Sequence, residues 1–275
     1  MAKIDRLGWA AGKSLTAYGV RVGIRANNPE ALARLTAYLP PAWEPSSSPV
    51  VDQLYSLIAG GAEAQPGQRR FNILYSGPVR LARTHRLTEA LERFGEDLQL
   101  YLAEMARYRL FVHAGVVGWK GQAIVLPGRS SSGKSTLVAA LLRAGATYYS
   151  DEYALLDARG RVHPFPKPLS LRQPTGAPPR IYQAETWGRG PGVEPLPVGL
   201  VVVTEYKPGK RWRPRPLSPG QAVLALLAHT VPARRQPSAA LARLQRVVAG
   251  ARILKGVRGP AEDTAGLLLD RLGTT

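Results

Sequence analysis

The sequence contains no cysteine in 275 residues. That absence excludes a disulfide scaffold, a thiolate zinc site, an iron–sulfur cluster and a cysteine nucleophile, and it fits a reducing cytoplasm. Long apolar runs are missing too. Stretches such as Leu200 to Val203 fall far short of the roughly 20 residues a membrane helix requires, so no membrane partner is expected. The N-terminus carries Lys3, Asp5, Arg6 and Lys13 with no apolar run between them, so no secretory signal is expected. No repeat recurs at a solenoid period. The expectation is a cytoplasmic protein whose 45% hydrophobic content supplies one large core, or a core domain with a smaller satellite.

Acid is scarce. Against 37 Lys and Arg stand 19 Asp and Glu, a formal charge of +18. From Tyr206 to Arg258 there are twelve Lys or Arg and no acid at all. Such a stretch attracts anions of any kind, or forms a solvated face.

Patterning divides the chain near residue 109. Ser14 to Arg25 reads as a strand. Asn28 and Pro29 then offer an N-cap and a first-turn proline to a short helix ending at Pro40. Turn chemistry over Pro40 to Pro49 predicts a loop, and Val51 to Ile58 and Arg70 to Tyr75 read as strands around a glycine-containing stretch at 60–67. Leu87, Leu91, Phe94, Leu98, Leu102 and Met105 recur at steps of three and four, which predicts a helix of about five turns with one apolar stripe in the core. Residues 1–109 therefore read as an N-terminal α+β domain.

Residues 110–275 read as a second, α/β domain. Leu110 to Val117 and Gln122 to Leu126 flank Gly118-Trp119-Lys120-Gly121 as a hairpin, and a helix over Lys134 to Ala144 stops at Gly145. Thr147 to Leu156 reads as a strand, Asp157 to Gly160 as a turn, and Val162 to Pro166 as its return. Gln173 to Pro197, with six prolines and four glycines, reads as a surface loop or lid. Val198 to Tyr206 is a buried strand by length and branching, and the basic tail from Ser218 reads as helical.

Gly128 to Ser135, GRSSSGKS, satisfies G-x-x-x-x-G-K-[ST] between a predicted strand and a predicted helix. Gly128 and Gly133 would let the backbone take positive φ and approach phosphate closely, so that the amides of Arg129, Ser130, Ser131 and Ser132 form a concave nest. The helix N-terminus adds about half a positive charge. Lys134 would neutralise the β- and γ-phosphates of ATP, Ser135 would reach a bound Mg²⁺, and Thr136 continues the same turn. Asp151 and Glu152 lie one helix and one strand later, where an open α/β sheet places ligands. One could hold the metal and the other accept a proton from an acceptor hydroxyl. Glu205, after the apolar run Val201 to Val203, is a further candidate for Mg²⁺.

The span His113 to Asp157 resembles the nucleotide-binding core of the HPr serine kinase/phosphorylase family. That family places a histidine before a glycine-containing hairpin, then the phosphate loop, then a helix ending in glycine, then two acids. The intervals agree as well as the letters: His113 lies 21 residues before Lys134 and Asp151 lies 17 after it. The resemblance implies a P-loop mixed-sheet kinase fold like that of HPr kinase and PEP carboxykinase, with His113 as an active-site polar group and Glu152 at the proton-accepting position. It also admits a homo-oligomer. Three departures stand out. Ser131 replaces a glycine, Glu152 replaces an aspartate, and Pro168 to Arg172, PLSLR, stands where the family carries a glutamate followed by Arg-Gly-Leu-Gly. That signature belongs to the phosphorylase activity and the HPr target, so neither is carried over. More loosely, the likeness reaches HPr-kinase-related proteins that are uncharacterised or modify peptides; residues 1–109 match nothing.

The reading is an ATP-dependent kinase acting on a hydroxyl of a protein or peptide serine or of a small molecule, with Lys167 and Arg172 near enough in sequence to touch phosphate or acceptor. A nucleotide-binding regulator or ATPase that transfers nothing shares the phosphate loop. A nucleic-acid-binding module using the basic stretch is the third reading, and it predicts affinity that falls steeply with salt.

Overall fold

The computed structural model of the chain describes all residues except 1–4, 6, 61–70, 130–131, 174–176, 188–189 and 274–275. It is a mixed α/β protein whose chain divides into two compact units, Met1–Arg107 and Tyr108–Thr275.

In the first unit, β1 (Ala11–Ala17) and β2 (Val20–Ala26) form a hairpin. Sequence patterning predicts one strand over Ser14 to Arg25, because the alternation runs on through the turn. The chain reverses at Tyr18 and Gly19, whose φ angles of 53° and 82° make a two-residue turn matched to strand twist. Asn28 caps α1 (Pro29–Thr36), its side chain accepting the Ala31 amide at 2.7 Å. The predicted loop after it holds a short edge strand, β3 (Glu44–Ser46). Then follow β4 (Gln53–Ile58), β5 (Asn72–Ser76), β6 (Val79–Thr84) and α2 (Leu87–Met105). β6 is absent from the sequence reading, since its residues VRLART are half polar and none of them is buried. The sheet runs β3-β1-β2-β4-β5-β6, and Leu91, Phe94, Leu98 and Leu102 of α2 pack on it with Leu35 of α1. The predicted stripe is therefore core.

The second unit is built on β7 (Leu110–Trp119) and β8 (Gln122–Pro127), joined at Lys120 and Gly121 with φ 47° and 77°. Next come α3 (Lys134–Arg143), β9 (Thr147–Ser150), β10 (Tyr153–Leu156), β11 (Val162–His163), β12 (Leu169–Leu171), β13 (Arg180–Tyr182) and β14 (Val198–Tyr206). The chain ends with β15 (Arg215–Pro216), α4 (Pro219–Leu227), α5 (Pro237–Gly250), β16 (Arg252–Arg258) and α6 (Ala261–Gly273). The main sheet runs β11-β10-β7-β8-β14-β16-β15, with β9 also paired to β7. β8, β14 and β16 are parallel neighbours.

These parallel strands are buried on both faces, as such sheets require. Ile124, Leu200 and Leu254 meet α3 and α6 on one face, while Val125, Val201 and Ile253 meet α4 and α5 on the other. Two expectations are corrected here. The C-terminal region is not uniformly helical, because β16 lies between two helices, where its apolar run is too short to declare a period. The predicted strand Thr147 to Leu156 is two strands interrupted at Asp151 and Glu152. Within the predicted loop 173–197, β13 pairs with β12 as a separate hairpin. No helix among the described residues is long and apolar enough to cross a membrane.

Candidate active site

One edge of β7 carries two partners in succession. β10 pairs with its first half, Tyr153 opposite His113, and β9 with its second, Ser150 opposite Val116. Between them the strand is interrupted at Asp151 and Glu152, where only the Glu152 carbonyl still meets β7, accepting the Ala114 amide at 3.1 Å. The Ser150 hydroxyl accepts the amides of Glu152 and Tyr153 at 3.1 and 3.0 Å, which supplies partners that the broken ladder no longer provides. On the other edge of β7, β8 runs directly into the glycine-containing loop that opens at Gly128.

His113 ties these pieces together. Its main chain accepts the Gly128 amide at 3.2 Å and donates to the His229 carbonyl at 2.7 Å. Its ring Nδ1 lies 2.8 Å from the Gly128 carbonyl. A carbonyl only accepts, so Nδ1 carries the hydrogen and Nε2 keeps its lone pair. Burial first, then the Lys134 charge, hold the His113 pKa below the usual histidine value.

The loop closes at Gly133, whose φ of 83° lies in the left-handed region, where only glycine is unstrained. Gly128 is needed for another reason. It is not among the residues with positive φ, and a Cβ there would lie 2.8 Å from Ser132 Oγ. No side chain caps α3, so its leading amides face the loop without a protein acceptor from a cap. Lys134 Nζ donates to the Arg129 carbonyl at 2.8 Å. Burial drives its pKa down to about 8, against the pull of Asp151 and Glu152. Ser130 and Ser131, predicted to line the loop, lie outside the described residues.

Across from the loop, Ser135 Oγ donates to Asp151 Oδ2 at 3.2 Å, and the Tyr148 hydroxyl lies 3.2 Å from Asp151 Oδ1. Burial, then repulsion from Glu152, raise the Asp151 pKa to about 6, more than the bonds from Tyr148 and Ser135 lower it. Glu152 is 39% exposed and pairs with Lys167 at 3.4 Å. His113, Lys134, Ser135, Asp151, Glu152 and Thr136 all line one cavity of about 630 Å³, which Lys167, Ser170 and Arg172 extend. Glu205 does not line it; at the end of β14 it is 68% exposed with Lys207 at 3.6 Å.

Two neighbours escape the sequence reading. Tyr148, three residues before Asp151, gives no motif signal; its hydroxyl also donates to the Lys167 carbonyl at 2.7 Å. His229, just past α4, is close enough for its pKa to be lowered by burial first and then by His113, Lys134 and Arg129, and nothing in its local pattern marks it. The basic stretch is spread over the segment after β14, α5 and β16, with Arg258 fully buried.

Ser135 Oγ and Asp151 Oδ2 are the hard oxygen donors Mg²⁺ prefers. No cluster of three or more acidic or histidine side chains suited to a metal occurs among the described residues. Compared with known protein families and with curated proteins, the sequence matches none of them.

Proposed function

We propose that the protein is an ATP-dependent phosphotransferase of the HPr-kinase-related kind, with a P-loop kinase core in residues 108–275. It moves the γ-phosphoryl group to a hydroxyl of a peptide or protein serine or of a small molecule. The observation that carries the reading is the Ser135–Asp151 contact at 3.2 Å, in the same cavity as Lys134 and Glu152. A phosphate loop alone implies only polyphosphate binding; carboxylates held opposite it supply what transfer requires.

In this reading Gly133, Lys134 and the first amides of α3 hold the polyphosphate, and Lys134 leaves the Arg129 carbonyl to do so. Ser135 and Asp151 would hold Mg²⁺, which when bound neutralises charge developing on the phosphate oxygens. Glu152 accepts the hydroxyl proton as the acceptor oxygen bonds to phosphorus and the bond from phosphorus to the β–γ bridging oxygen breaks, leaving ADP. Lys167 orients Glu152. His113 fixes the entry to the loop through Gly128. Lys167 and Arg172 extend the cavity beyond the carboxylates, where the acceptor would lie.

Glu152→Gln tests this. It should leave ATP affinity within a factor of about two while lowering transfer roughly 10²- to 10⁴-fold, the usual range for a general base. The measurement is γ-phosphate transfer to a panel of hydroxyl acceptors, beside direct ATP titration. Undiminished ATP turnover in this variant would leave a nucleotide-binding ATPase as the better reading.

A further inference from the structure

Arg258, the last residue of β16, is 2% exposed. Its Nη2 donates to the Gly133 carbonyl at 2.8 Å and its Nη1 to the Gly259 carbonyl at 2.9 Å. Its Nε has no hydrogen-bond partner among the described residues. The guanidinium lies 5.4 Å from the centre of the Tyr206 ring. No ion pair neutralises it among the described residues, and Glu262, whose field reaches it, is engaged with Arg143 at 3.3 Å. A guanidinium stays charged even when buried. A charge left this way is costly in a protein interior.

Its location accounts for it. In a trans peptide the carbonyl and the following amide point in opposite directions. The Gly133 carbonyl also accepts the Leu137 amide at 3.1 Å, so Arg258 and the first turn of α3 hold it together, and the Lys134 amide points the other way. A cation on the carbonyl also polarises that peptide and strengthens its N–H as a donor. The contact is close enough that a Cβ at Gly133 would lie 2.6 Å from Arg258 Nη2. Glycine is thus required twice over, by φ and by this packing.

We infer that Arg258 is a positioning residue of the phosphate loop: with the first turn of α3 it holds the left-handed Gly133 peptide, and it sets the loop's affinity for polyphosphate through a buried charge that pairs with no carboxylate among the described residues. The inference rests on the phosphate-site reading above and extends it to a residue outside the motif, 124 positions beyond Lys134.

The experiment titrates ATP and inorganic tripolyphosphate against the full chain and against Arg258→Met, Arg258→Lys and Lys134→Ala. Arg258→Met should weaken both ligands by the same factor, about 10- to 100-fold, the range expected for a lost charge-assisted bond. Arg258→Lys keeps the cation but not the two-pronged tether, and should recover part of that loss. A merely structural role would lower the melting temperature of both variants and leave the affinity of the folded fraction unchanged; that result overturns the inference. Should the methionine variant fail to fold, the lysine variant decides: wild-type affinity overturns the inference, and a shared loss for both ligands upholds it. Lys134→Ala separates the two levels. If it keeps polyphosphate affinity, the phosphate site itself is wrong. If it loses affinity while both folded Arg258 variants keep theirs, only the role of Arg258 fails.

Discussion

Asp151 and Asp157 flank the four residues of β10, both withdrawn from solvent, and their surroundings push them in opposite directions. At Asp157, burial raises the pKa, but His163 Nε2 at 3.0 Å, the backbone amides of Arg161 and Arg159, and Arg161 Nε at 3.1 Å outweigh it and bring it down to about 2. At Asp151, burial and the repulsion of Glu152 outweigh the bonds from Tyr148, Ser135 and the backbone, and it stands near 6. Every oxygen of Asp157 has a donor that prefers the anion, so this carboxylate closes the turn between β10 and β11. The direct partners of Asp151 are hydroxyls rather than cations, and the Lys134 charge acts on it only through space. One strand thus separates a carboxylate serving the fold from one that the proposed reading reserves for a ligand.

The largest expected effect comes from exchanging their fates. Asp151→Asn should reduce γ-phosphate turnover about a thousandfold, as loss of several kcal/mol of charge stabilisation implies, with thermal stability at neutral pH unchanged or raised. Asp157→Asn should do the reverse, destabilising by about 2 kcal/mol through lost charge-assisted bonds and sparing turnover per folded molecule. Thermal melts beside turnover assays check both, and the opposite pattern would break the comparison.

Acid titration sharpens it next. The Asp151 pKa is raised above its unfolded value of 3.8 to about 6. Its contribution is therefore fully present below 3.8 and lost as pH rises through 6, roughly 3 kcal/mol across the window. The Asp157 pKa is depressed to about 2, so its contribution is present above 3.8 and lost as pH falls through 2. In melts against pH, the gap between wild type and Asp151→Asn should open between about pH 4 and 6, and that for Asp157→Asn should close below about pH 4. Gaps that move together would mean that the two sites share one environment.

The sequence makes the phosphate loop legible because its glycines, lysine and serine obey a spacing that backbone geometry demands. It makes Asp151 and Glu152 legible as a pair, while their division of labour depends on which carboxylate bends toward Ser135, and no local pattern encodes that. Arg258 is visible only as one cation in a basic stretch, since β16 is buried by strands and helices distant in the chain. Glu205 looks like a metal ligand by its place after an apolar run, but the run ends in solvent. In the fold, long helices with stripes such as α2 are plain. Reversals that keep the alternation going, as at Tyr18 and Gly19, are not.

A third effect concerns the loop facing Asp151. With Lys134 lowered to about 8 by burial, a bound polyphosphate raises it again, so binding above pH 8 takes up a proton. Affinity should fall by up to about tenfold per pH unit there. Titrations at pH 7, 8 and 9 read this directly, and Lys134→Arg should flatten the trend because its charge persists. A flat wild-type profile would detach Lys134 from the phosphates.

The smallest effect tests what keeps Asp151 from rising further. The Tyr148 hydroxyl has one hydrogen and two acceptors, the Lys167 carbonyl at 2.7 Å and Asp151 Oδ1 at 3.2 Å, so the carboxylate receives the weaker share. Tyr148→Phe removes a bond that favours the anion and should move the Asp151 pKa up. Less of it is then ionised at neutral pH, and turnover at pH 7 should fall by up to about twofold, with the acid limb of the rate profile displaced upward by less than about one unit. Displacement downward would mean that the hydroxyl had been protecting the protonated acid, and the contrast with Asp157 would have to be drawn from burial alone.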